Sequence, residues 1–365
     1  MSNITEMILR RYGIAGSIVS EEELSGGNVN LTFRVTVKDG ASVVDYLVQK
    51  INPNALTKPR AAMRNMVLVT DHLRKKGIRT AALLPVGRSG ERFLEIPRGR
   101  NAGYWRVEEY LNAVTLSQED PDVLYEMARA FGRFNAALAD LSPDRLHETI
   151  LGFHNTFLRF RDLWRAAERD EFGRTGQVKN ELRRLKALEE RASEISKRYE
   201  AGEFPVRVTH NDTKFNNVLF TSDKPPYGAV VIDFDTVMAG MIAYDFADSV
   251  RSVAKEMQPD GSARLSEERF RAVARGYLTE TASLLTQAEL DAMAPCTLAV
   301  TAELAARYLT DYLEGDRYFR ITDPETNLRK ARLNIGFAED IDRRMPELCE
   351  ELAGIIFRVK NGMTV

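Results

Sequence analysis

The amino-acid sequence predicts an α+β fold, with a strand-rich first part and a mainly helical second part. Short strand-like segments separated by turn signals run through about the first hundred residues, and helical periodicity dominates after Asn112. The predicted division is an N-terminal lobe of residues 1–111, built on a small antiparallel sheet, and a larger, mainly helical lobe of residues 112–365.

Four segments of the first part have the composition of strands. They are LTFRVTV, DYLVQKI, RFLEI and WRVEEYL, with turn signals at Gly26-Gly27, Asp39-Gly40 and Ser89-Gly90. One helix is predicted among them, from about Arg60 to Lys76, because apolar residues recur there at helical spacing and Gly77 follows.

The second part is predicted to consist mostly of helices. The segment PDVLYEMARAFGRFNAALADL begins with Pro121 and carries one apolar stripe, and long helices are expected from about Ser266 onward. Residues 177–198 are typical of a solvated helix with weak ion pairs, to which no chemistry is assigned. Short strands are expected at FPVRVTH, NVLF and AVVIDFD.

The composition indicates a soluble globular protein that binds a small ligand. Its 51 basic and 53 acidic side chains leave a formal charge of −2, which argues against a general binder of nucleic acid or anionic membranes. Cys296 and Cys349 suggest neither a disulfide framework nor a zinc cluster, so the reducing cytoplasm is the expected location. We expect no secretory signal and no membrane span.

One motif indicates chemistry. His210, Asp212 and Asn217 form H-x-D-x-x-x-x-N, and Asp233 follows a predicted strand in VVIDFDT. Phosphoryl transfer to a hydroxyl needs a proton acceptor and oxygen ligands for Mg²⁺. Asp212 fits the base, His210 is expected to brace the loop, and Asn217 and Asp233 offer metal ligands completed by ATP phosphates and water. The alternative is that these residues serve only turns and caps.

Seven segments over nearly the whole chain carry a family resemblance: GGNVNLTFRV, YLVQKIN, AAMRNMVLVT, WRVEEYL, RVTHNDTKFNNVLF, VVIDFDTVMAGMIAYDFADSVR and RYLTDYLEGDRYF. The chain resembles the aminoglycoside phosphotransferase and choline kinase superfamily and, within it, the bacterial N-acetylhexosamine 1-kinases. The resemblance implies a protein-kinase-like two-lobed fold, ATP and Mg²⁺ as cofactors, and a supporting role for Asp245 under the catalytic loop. By residue type alone, Asp245 fits equally a carboxylate at a helix start.

The kinase template pairs a strand lysine with a glutamate on the following helix, and this chain departs from it. The lysine position falls on Gln49, with Lys50 beside it, and the helix has Asn65 at the glutamate position. Strand neighbours point to opposite faces, so only one of Gln49 and Lys50 faces the cleft. The resemblance favours Gln49, in a neutral amide pair with Asn65; the alternative is a shifted register with Lys50 inward.

Two backbone segments are predicted to contact ATP. The turn at Gly26 and Gly27 precedes a strand, so its N–H groups are expected near the phosphates, although a plain hairpin turn has the same composition. Asn28 stands where the resembling sugar kinases carry a histidine. The link between the lobes, Glu109 to Leu111, is expected to hydrogen-bond the adenine edge through its backbone.

The resemblance also implies which residues contact the sugar that accepts the phosphate. Arg307 and Tyr318 match positions that contact the N-acetylated sugar in the resembling kinases, and Asp212 faces the acceptor hydroxyl. Asp235, two residues after the expected metal ligand, is a further candidate for contact with the sugar or a second Mg²⁺. The alternative for Arg307 is an ordinary helix-surface pair with Asp311, four residues later.

The resulting hypothesis is transfer of the ATP γ-phosphate to the anomeric hydroxyl of N-acetylglucosamine or N-acetylgalactosamine. A kinase of the same fold for an aminoglycoside, homoserine, choline or a different sugar is the alternative among enzymes. The missing template lysine and glutamate leave a nucleotide-binding pseudokinase scaffold as the alternative from another class. The epimer, the choice of ATP or GTP and the oligomeric state stay open.

Overall fold

The computed structural model describes residues 3–24, 30–53 and 56–363, and its elements confirm the α+β class. The chain divides into two compact units, each assembled from several segments. The sheet unit comprises Met1–Val114, Asp144–Leu151 and Leu219–Met238, and the helical unit comprises Thr115–Pro143, Gly152–Val218 and Ala239–Val365. The two lobes predicted at 1–111 and 112–365 stay a prediction.

The sheet unit is built on a five-stranded antiparallel sheet. Its elements are α1 (Asn3–Arg11), β1 (Ser17–Glu23), β2 (Leu31–Asp39), β3 (Ser42–Lys50), α2 (Pro59–Lys75), β4 (Leu94–Ile96) and β5 (Gly103–Glu109). The strand order is β1-β2-β3-β5-β4. The sequence predicted every one of these strands except β1, whose mostly polar and exposed residues SIVSEEE lack an apolar alternation.

The two faces of β5 differ because consecutive strand residues point to opposite sides. Trp105 and Val107 are buried in an apolar core shared with α1. Arg106 and Glu108, also buried, point the other way, where the Arg106 guanidinium lies against α2, with its Nη1 3.5 Å from the sulfur of Met66. The sheet therefore has one apolar face and one face that buries charge.

The helical unit contains most of the helices. They are α3 (Pro121–Ala137), α4 (Thr156–Arg169), α5 (Lys179–Glu200), α6 (Ile242–Val253), α7 (Glu267–Thr281), α8 (Gln287–Asp291), α9 (Met293–Leu313), α10 (Thr326–Arg343) and α11 (Met345–Lys360). Among the described residues, no helix is both long and apolar enough to cross a membrane.

Short strands occur in the second part of the chain. They are β6 (Arg207–Thr209), β7 (Val218–Phe220), β8 (Ala229–Val231), β9 (Met238–Gly240), β10 (Lys255–Met257) and β11 (Ala263–Leu265). They pair as β6 with β9, β7 with β8, and β10 with β11. Strands β6, β7 and β8 confirm the predicted strands at FPVRVTH, NVLF and AVVIDFD, whereas β9, β10 and β11 were not predicted.

Glycines allow α3 and α7 to approach closely. A Cβ on Gly276 would lie 2.1 Å from the carbonyl oxygen of Tyr125, and a Cβ on Gly132 would lie 2.7 Å from that of Tyr277.

Helices α6 and α9 are buried over most of their length. Asp245, in the first turn of α6, therefore sits on an element that is enclosed by protein.

Candidate active site

The loop between β6 and β7 carries the H-x-D-x-x-x-x-N motif and is held by one carboxylate. Asp245 accepts hydrogen bonds from the backbone N–H groups of His210 and Asn211 at 2.8 and 2.7 Å, and from Asn135 Nδ2 at 2.8 Å. Burial raises the pKa of Asp245, against the opposing effects of His210 and these hydrogen bonds. The contacts favour the supporting role predicted for Asp245.

His210 packs inside the helical unit. Its ring meets Phe131 and Phe134 edge-on, with centroids 5.4 and 5.5 Å apart, and its Nδ1 accepts the backbone N–H of Asp212 at 3.3 Å. Between them, Asn211 has a φ of 66°, in the left-handed region that asparagine tolerates better than most residues. These contacts favour the bracing role predicted for His210.

Asp212 is only 26% exposed and is held through one carboxylate oxygen. Asn217 Nδ2 donates to its Oδ2 at 2.9 Å and to its backbone oxygen at 2.7 Å, and Lys214 Nζ lies 2.5 Å from the same Oδ2. Burial raises the pKa of Asp212, but Lys214, His210 and Asn217 outweigh burial and bring that pKa below its usual value. The carboxylate is therefore ionised at neutral pH. The sequence reasoning missed Lys214, although it stands two residues after the candidate base.

Asn217 offers an oxygen suited to a hard cation. Its side chain donates both hydrogen bonds through Nδ2, and its Oδ1 accepts none from the residues that the structure describes. Amide oxygens are ligands that Mg²⁺ accepts, so this donor fits the metal role predicted for Asn217. In the described ranges, no group of three His, Cys, Asp or Glu side chains is placed to hold a metal ion.

Asp233 lies in the sheet unit, between β8 and a short 3₁₀ helix, Phe234–Thr236, and its φ of 65° is also left-handed. Arg106 interacts electrostatically with Asp235, Glu108 and Asp233. Burial, Asp235 and Asp233 together outweigh Arg106 and raise the pKa of Glu108. One cation, Arg106, thus interacts with three carboxylates, and the metal role of Asp233 stays a prediction.

Asp235 is engaged through both carboxylate oxygens. Arg106 Nη1 donates to Oδ1, Arg106 Nη2 donates to Oδ2 at 3.4 Å, and Asn30 Nδ2 donates to Oδ2 at 2.8 Å. Only 15% of the Asp235 side chain is exposed. These contacts do not favour the predicted contact of Asp235 with the sugar or a second Mg²⁺, which stays a prediction.

Gln49 and Lys50 point to opposite faces of the sheet. Gln49 Oε1 accepts a hydrogen bond from Arg106 Nε at 2.7 Å, and its Nε2 donates to Thr32 Oγ1 at 3.1 Å. Lys50 Nζ instead lies 5.7 Å from the ring centroid of Trp105, on the other face. The register therefore places Gln49, and not Lys50, beside the buried charges.

The amide pair predicted between Gln49 and Asn65 is wrong. Asn65 Nδ2 donates to the carbonyl oxygens of His147 and Val237 at 2.7 and 2.9 Å, and its Oδ1 accepts the N–H of His147 at 2.8 Å. Asn65 thus fastens α2 to neighbouring loop backbone. The partner of Gln49 is Arg106, a residue of the adjacent strand that sequence spacing did not indicate.

The segment Glu109 to Leu111 uses some of its backbone donors internally. The N–H of Glu109 donates to the Ala82 oxygen at 3.2 Å, and that of Tyr110 donates to the Asp45 oxygen at 3.3 Å. Leu111 N–H donates to no group in the part of the chain that the structure describes. This donor fits the adenine contact predicted for the segment.

Arg307 and Tyr318 lie together, with Arg307 Nη2 donating to Tyr318 Oη at 3.3 Å. The alternative pair of Arg307 with Asp311 is wrong. Asp311 instead accepts the backbone N–H groups of Arg317, Tyr318 and Phe319 at 2.8, 2.8 and 2.9 Å. It therefore holds the turn after α9 that presents the Tyr318 side chain, which is 59% exposed.

A buried pair that the sequence did not predict, His154 and Glu303, links this region to the loop between β6 and β7. Arg307 Nη1 lies 4.0 Å from Glu303 Oε1, and Glu303 Oε2 lies 3.6 Å from His154 Nδ1. The other ring nitrogen, Nε2, is 3.0 Å from the carbonyl oxygen of Asn211. Burial lowers the pKa of His154, but Glu303 outweighs it and raises that pKa above its usual value. The contacts from Arg307 through Glu303 and His154 therefore end at the carbonyl of Asn211, one residue before Asp212.

Comparison with known proteins decides the family. The model of the phosphotransferase enzyme family matches residues 20–290, well over half of the chain. This chain belongs to the phosphotransferase enzyme family.

Solved structures support the fold of this phosphotransferase. A microcompartment-associated aminopropanol kinase matches with a TM-score of 0.66 and 17% identity, covering 96% of this chain and 99% of its own. An aminoglycoside phosphotransferase from Alicyclobacillus acidocaldarius matches with a TM-score of 0.60 and 16% identity, covering 99% and 98%. An amicoumacin kinase in complex with AMP-PNP and Ca²⁺ has a TM-score of 0.60 and 13% identity, covering 91% and 92%. The protein-kinase-like fold predicted from the sequence is confirmed.

Several of the predicted site residues of this phosphotransferase are in contact. In the helical unit these are Asp212 with Asn217, and Arg307 with Tyr318, whereas Asp233 belongs to the sheet unit. The predicted glycine turn, with Gly26, Gly27 and Asn28, lies outside the described residues. The roles of these residues stay predictions.

Proposed function

We propose that this phosphotransferase is an ATP- and Mg²⁺-dependent cytoplasmic kinase that converts N-acetylglucosamine or N-acetylgalactosamine to the sugar 1-phosphate. The main support is the contact of Asn217 with the carboxylate and backbone of Asp212, which fixes the candidate metal ligand beside the candidate base. The choice of sugar rests on the resemblance to N-acetylhexosamine kinases and on the pairing of Arg307 with Tyr318.

Asp212 acts as the base in this proposal. Its Oδ2 is occupied by Lys214 and Asn217, and its Oδ1 accepts no hydrogen bond from the described residues, so Oδ1 receives the proton of the acceptor hydroxyl. The hydroxyl oxygen forms a bond to the γ-phosphorus while the bond from phosphorus to the bridging oxygen breaks, which releases ADP. Lys214 places positive charge beside the base, where the transferring phosphoryl group is negative.

The nucleotide and metal are assigned to chain groups by their chemistry. The backbone of Glu109 and Leu111 would contact the adenine edge, and Gln49 and the glycines predicted from the sequence, Gly26 and Gly27, would contact the phosphates. Asn217 and Asp233 would hold Mg²⁺, which would neutralise charge on the phosphates.

The surroundings of Arg307 disfavour a polycationic acceptor. Burial lowers the pKa of Arg159, and the nearby positive charge of Arg307 lowers it further, against the opposing effect of Glu303. The Arg307 guanidinium is also flanked by the rings of Phe153, Tyr318 and Phe319, with centroids 5.6, 5.6 and 5.5 Å away. Guanidinium and phenol groups hydrogen-bond sugar hydroxyls and an acetamide oxygen, whereas an aminoglycoside would bring like charge to them.

An acceptor panel tests the proposal. Purified protein with ATP and Mg²⁺ is offered both N-acetylhexosamines, glucose, homoserine, choline and an aminoglycoside, and ADP release is measured together with the ³¹P NMR spectrum of the product. We expect an anomeric phosphate from an N-acetylhexosamine and little turnover of the cations. Turnover of another acceptor with none on either hexosamine would overturn the choice of sugar.

A pair of arginine variants tests the acceptor residue. Arg307→Met is expected to raise KM for the sugar by about 10-fold or more and to leave KM for ATP unchanged, as loss of a charge-assisted hydrogen bond does. The matched control is Arg317→Met, because Arg317 is an exposed arginine of the following turn whose side chain pairs with Glu171. Equal effects of the two variants would remove Arg307 from the acceptor site.

A further inference from the structure

The buried cation of the sheet unit is an arginine, and it stands on a different strand from the lysine of the kinase template. Gln49 of β3 and Arg106 of β5 are direct cross-strand partners. Directly opposite residues of an antiparallel pair project to the same face, so the Arg106 guanidinium occupies the space beside the template position. The side chain is only 2% exposed.

Arg106 is held in a fixed orientation by its hydrogen bonds. Its Nε donates to Gln49 Oε1 at 2.7 Å, and its two terminal nitrogens donate to the two oxygens of Asp235. A planar fork of donors suits this bidentate arrangement, which a lysine ammonium does not reproduce. Gln49 is fixed in turn by Thr32.

The ion pair reaches the segment that carries the proposed metal ligand. Asp235 is two residues after Asp233, in the 3₁₀ helix that Asp233 precedes. Asn30 of the sheet side binds the same Asp235 carboxylate at 2.8 Å, and its Oδ1 accepts the N–H of Asn52 at 3.0 Å. The carboxylate segment is thereby tied to the sheet through side chains.

The residue beside the template lysine position, Lys50, and the residue at the template glutamate position, Asn65, make other contacts. Lys50 lies against Trp105 on the opposite face of the sheet, and Asn65 is bonded to backbone groups of His147 and Val237. Neither pairs with Gln49 or Arg106. On this face Arg106 pairs with Asp235 and also with Glu108, whose Oε1 lies 2.9 Å from Arg106 Nε.

We propose that the Arg106–Asp235 pair replaces the lysine–glutamate pair of the kinase template, with Arg106 as the positioning residue that sets the geometry of Asp233. The proposal rests on the proposed function, since it assigns Asp233 to a metal–nucleotide site. Its consequence is that Arg106 determines the affinity for the nucleotide in the presence of Mg²⁺, and that Lys50 does not.

Calorimetric titration with AMP-PNP at several Mg²⁺ concentrations tests this in the purified full-length chain. Arg106→Gln is expected to lower nucleotide affinity by about 30-fold or more, and Arg106→Lys, which keeps charge without the fork, by about 3- to 10-fold. Lys50→Met and the matched control Arg60→Gln, which removes an exposed pair with Glu95, are expected to change it by less than about twofold. Wild-type affinity in Arg106→Gln, or a larger loss in Lys50→Met, overturns the proposal.

A combined variant separates positioning from simple stability, because Arg106→Gln also leaves Asp235 and Glu108 buried without their cation. Arg106→Gln combined with Asp235→Asn and Glu108→Gln removes all three charges, and we expect it to recover thermal stability without recovering nucleotide affinity in Mg²⁺. Recovery of both would reduce Arg106 to a structural role and overturn the proposal. A wild-type chain that binds no nucleotide would end the proposed function itself, whereas tight wild-type binding with an inert Arg106 variant ends only this inference.

Discussion

The candidate catalytic loop of the helical unit, between β6 and β7, and the Asp233 segment of the sheet unit each contain a left-handed residue, but they are held in different ways. In the catalytic loop, Asp245 accepts backbone N–H groups at 2.8 and 2.7 Å next to the left-handed Asn211. In the other segment, the left-handed Asp233 is followed by Asp235, whose side chain is held by Arg106.

The difference teaches how each arrangement depends on the sequence. A loop fixed through its backbone tolerates changes in its own side chains but depends on one remote carboxylate. A segment fixed through side chains depends on every member of the ion-pair network, because removing one partner leaves another charge buried. The two regions should therefore respond differently to substitutions of equal size.

The largest expected effect is that of Asp245→Asn. The amide keeps the shape but turns an N–H group toward a backbone N–H, so two donors face each other where an acceptor is required. We expect turnover to fall by about 100-fold or more and the free energy of unfolding to fall by about 2–4 kcal/mol. Steady-state kinetics and denaturant unfolding measure the two.

The control for Asp245→Asn is Asp120→Asn. Asp120 caps α3 by accepting the N–H of Asp122 at 2.9 Å, and asparagine caps helices about as well as aspartate. This variant should behave as wild type. Near-normal turnover in Asp245→Asn would show that the catalytic loop does not depend on this carboxylate.

An intermediate effect is expected for His154→Gln, because the His154 ring contacts both Glu303 and the carbonyl of Asn211. We expect kcat to fall by about 10-fold with little change in nucleotide affinity, because the residue before Asp212 loses its support. Stopped-time assays and nucleotide titration separate the two quantities. His72→Gln, a histidine of α2, serves as the control, and a loss confined to nucleotide affinity would argue against this role.

The same pair predicts a dependence of stability on pH. The pKa of His154 is raised in the folded chain, so the ion pair stabilises fully below the ordinary histidine pKa of about 6.5 and is lost as pH rises through the raised value. Wild-type melting temperature should therefore decline over that range relative to His154→Gln. Parallel curves for the two proteins would contradict the ion pair.

The smallest effect on activity is expected for Lys255→Met. Burial, with Arg251 nearby, lowers the pKa of Lys255 to about 8, so folding disfavours its charged form. Stability should then rise as pH increases from about 8 toward 10.5, because the unfolded chain holds a proton that the folded chain has lost. Lys255→Met should remove this rise, although it also removes the hydrogen bond from Lys255 Nζ to Asn334 Oδ1 at 2.8 Å. Chemical unfolding at several pH values measures it, and an unchanged slope would contradict it.

Much of the fold was predictable because it depends on local patterns. The strands β2 to β5, the helix α2 and the helix starting at Pro121 follow apolar periodicity and end at glycine or begin at proline. The contact within the loop between β6 and β7 was predictable for a similar reason, since Asp212 and Asn217 stand close in sequence and meet in the structure.

The remainder depends on contacts between residues far apart in sequence. Arg106 meets Asp235 across 129 positions, and His154 reaches the Asn211 carbonyl across 57 positions, with no motif to indicate either. The pair predicted between Gln49 and Asn65 failed because template positions do not reveal which side chains meet in space. Such contacts follow from strand register and helix packing, which a single sequence leaves open.

The central claim is that Asp212 is the base of a phosphoryl transfer, and Asp212→Asn tests it most directly. Single-turnover rates and the Kd for ATP with Mg²⁺ should be measured on the same preparations, with the acceptor found in the panel. We predict that the rate falls by about 100-fold or more while the Kd changes by less than about twofold, since the contact is made to the transition state. An unchanged rate, or a wild-type chain that binds ATP and phosphorylates no acceptor, would contradict the account.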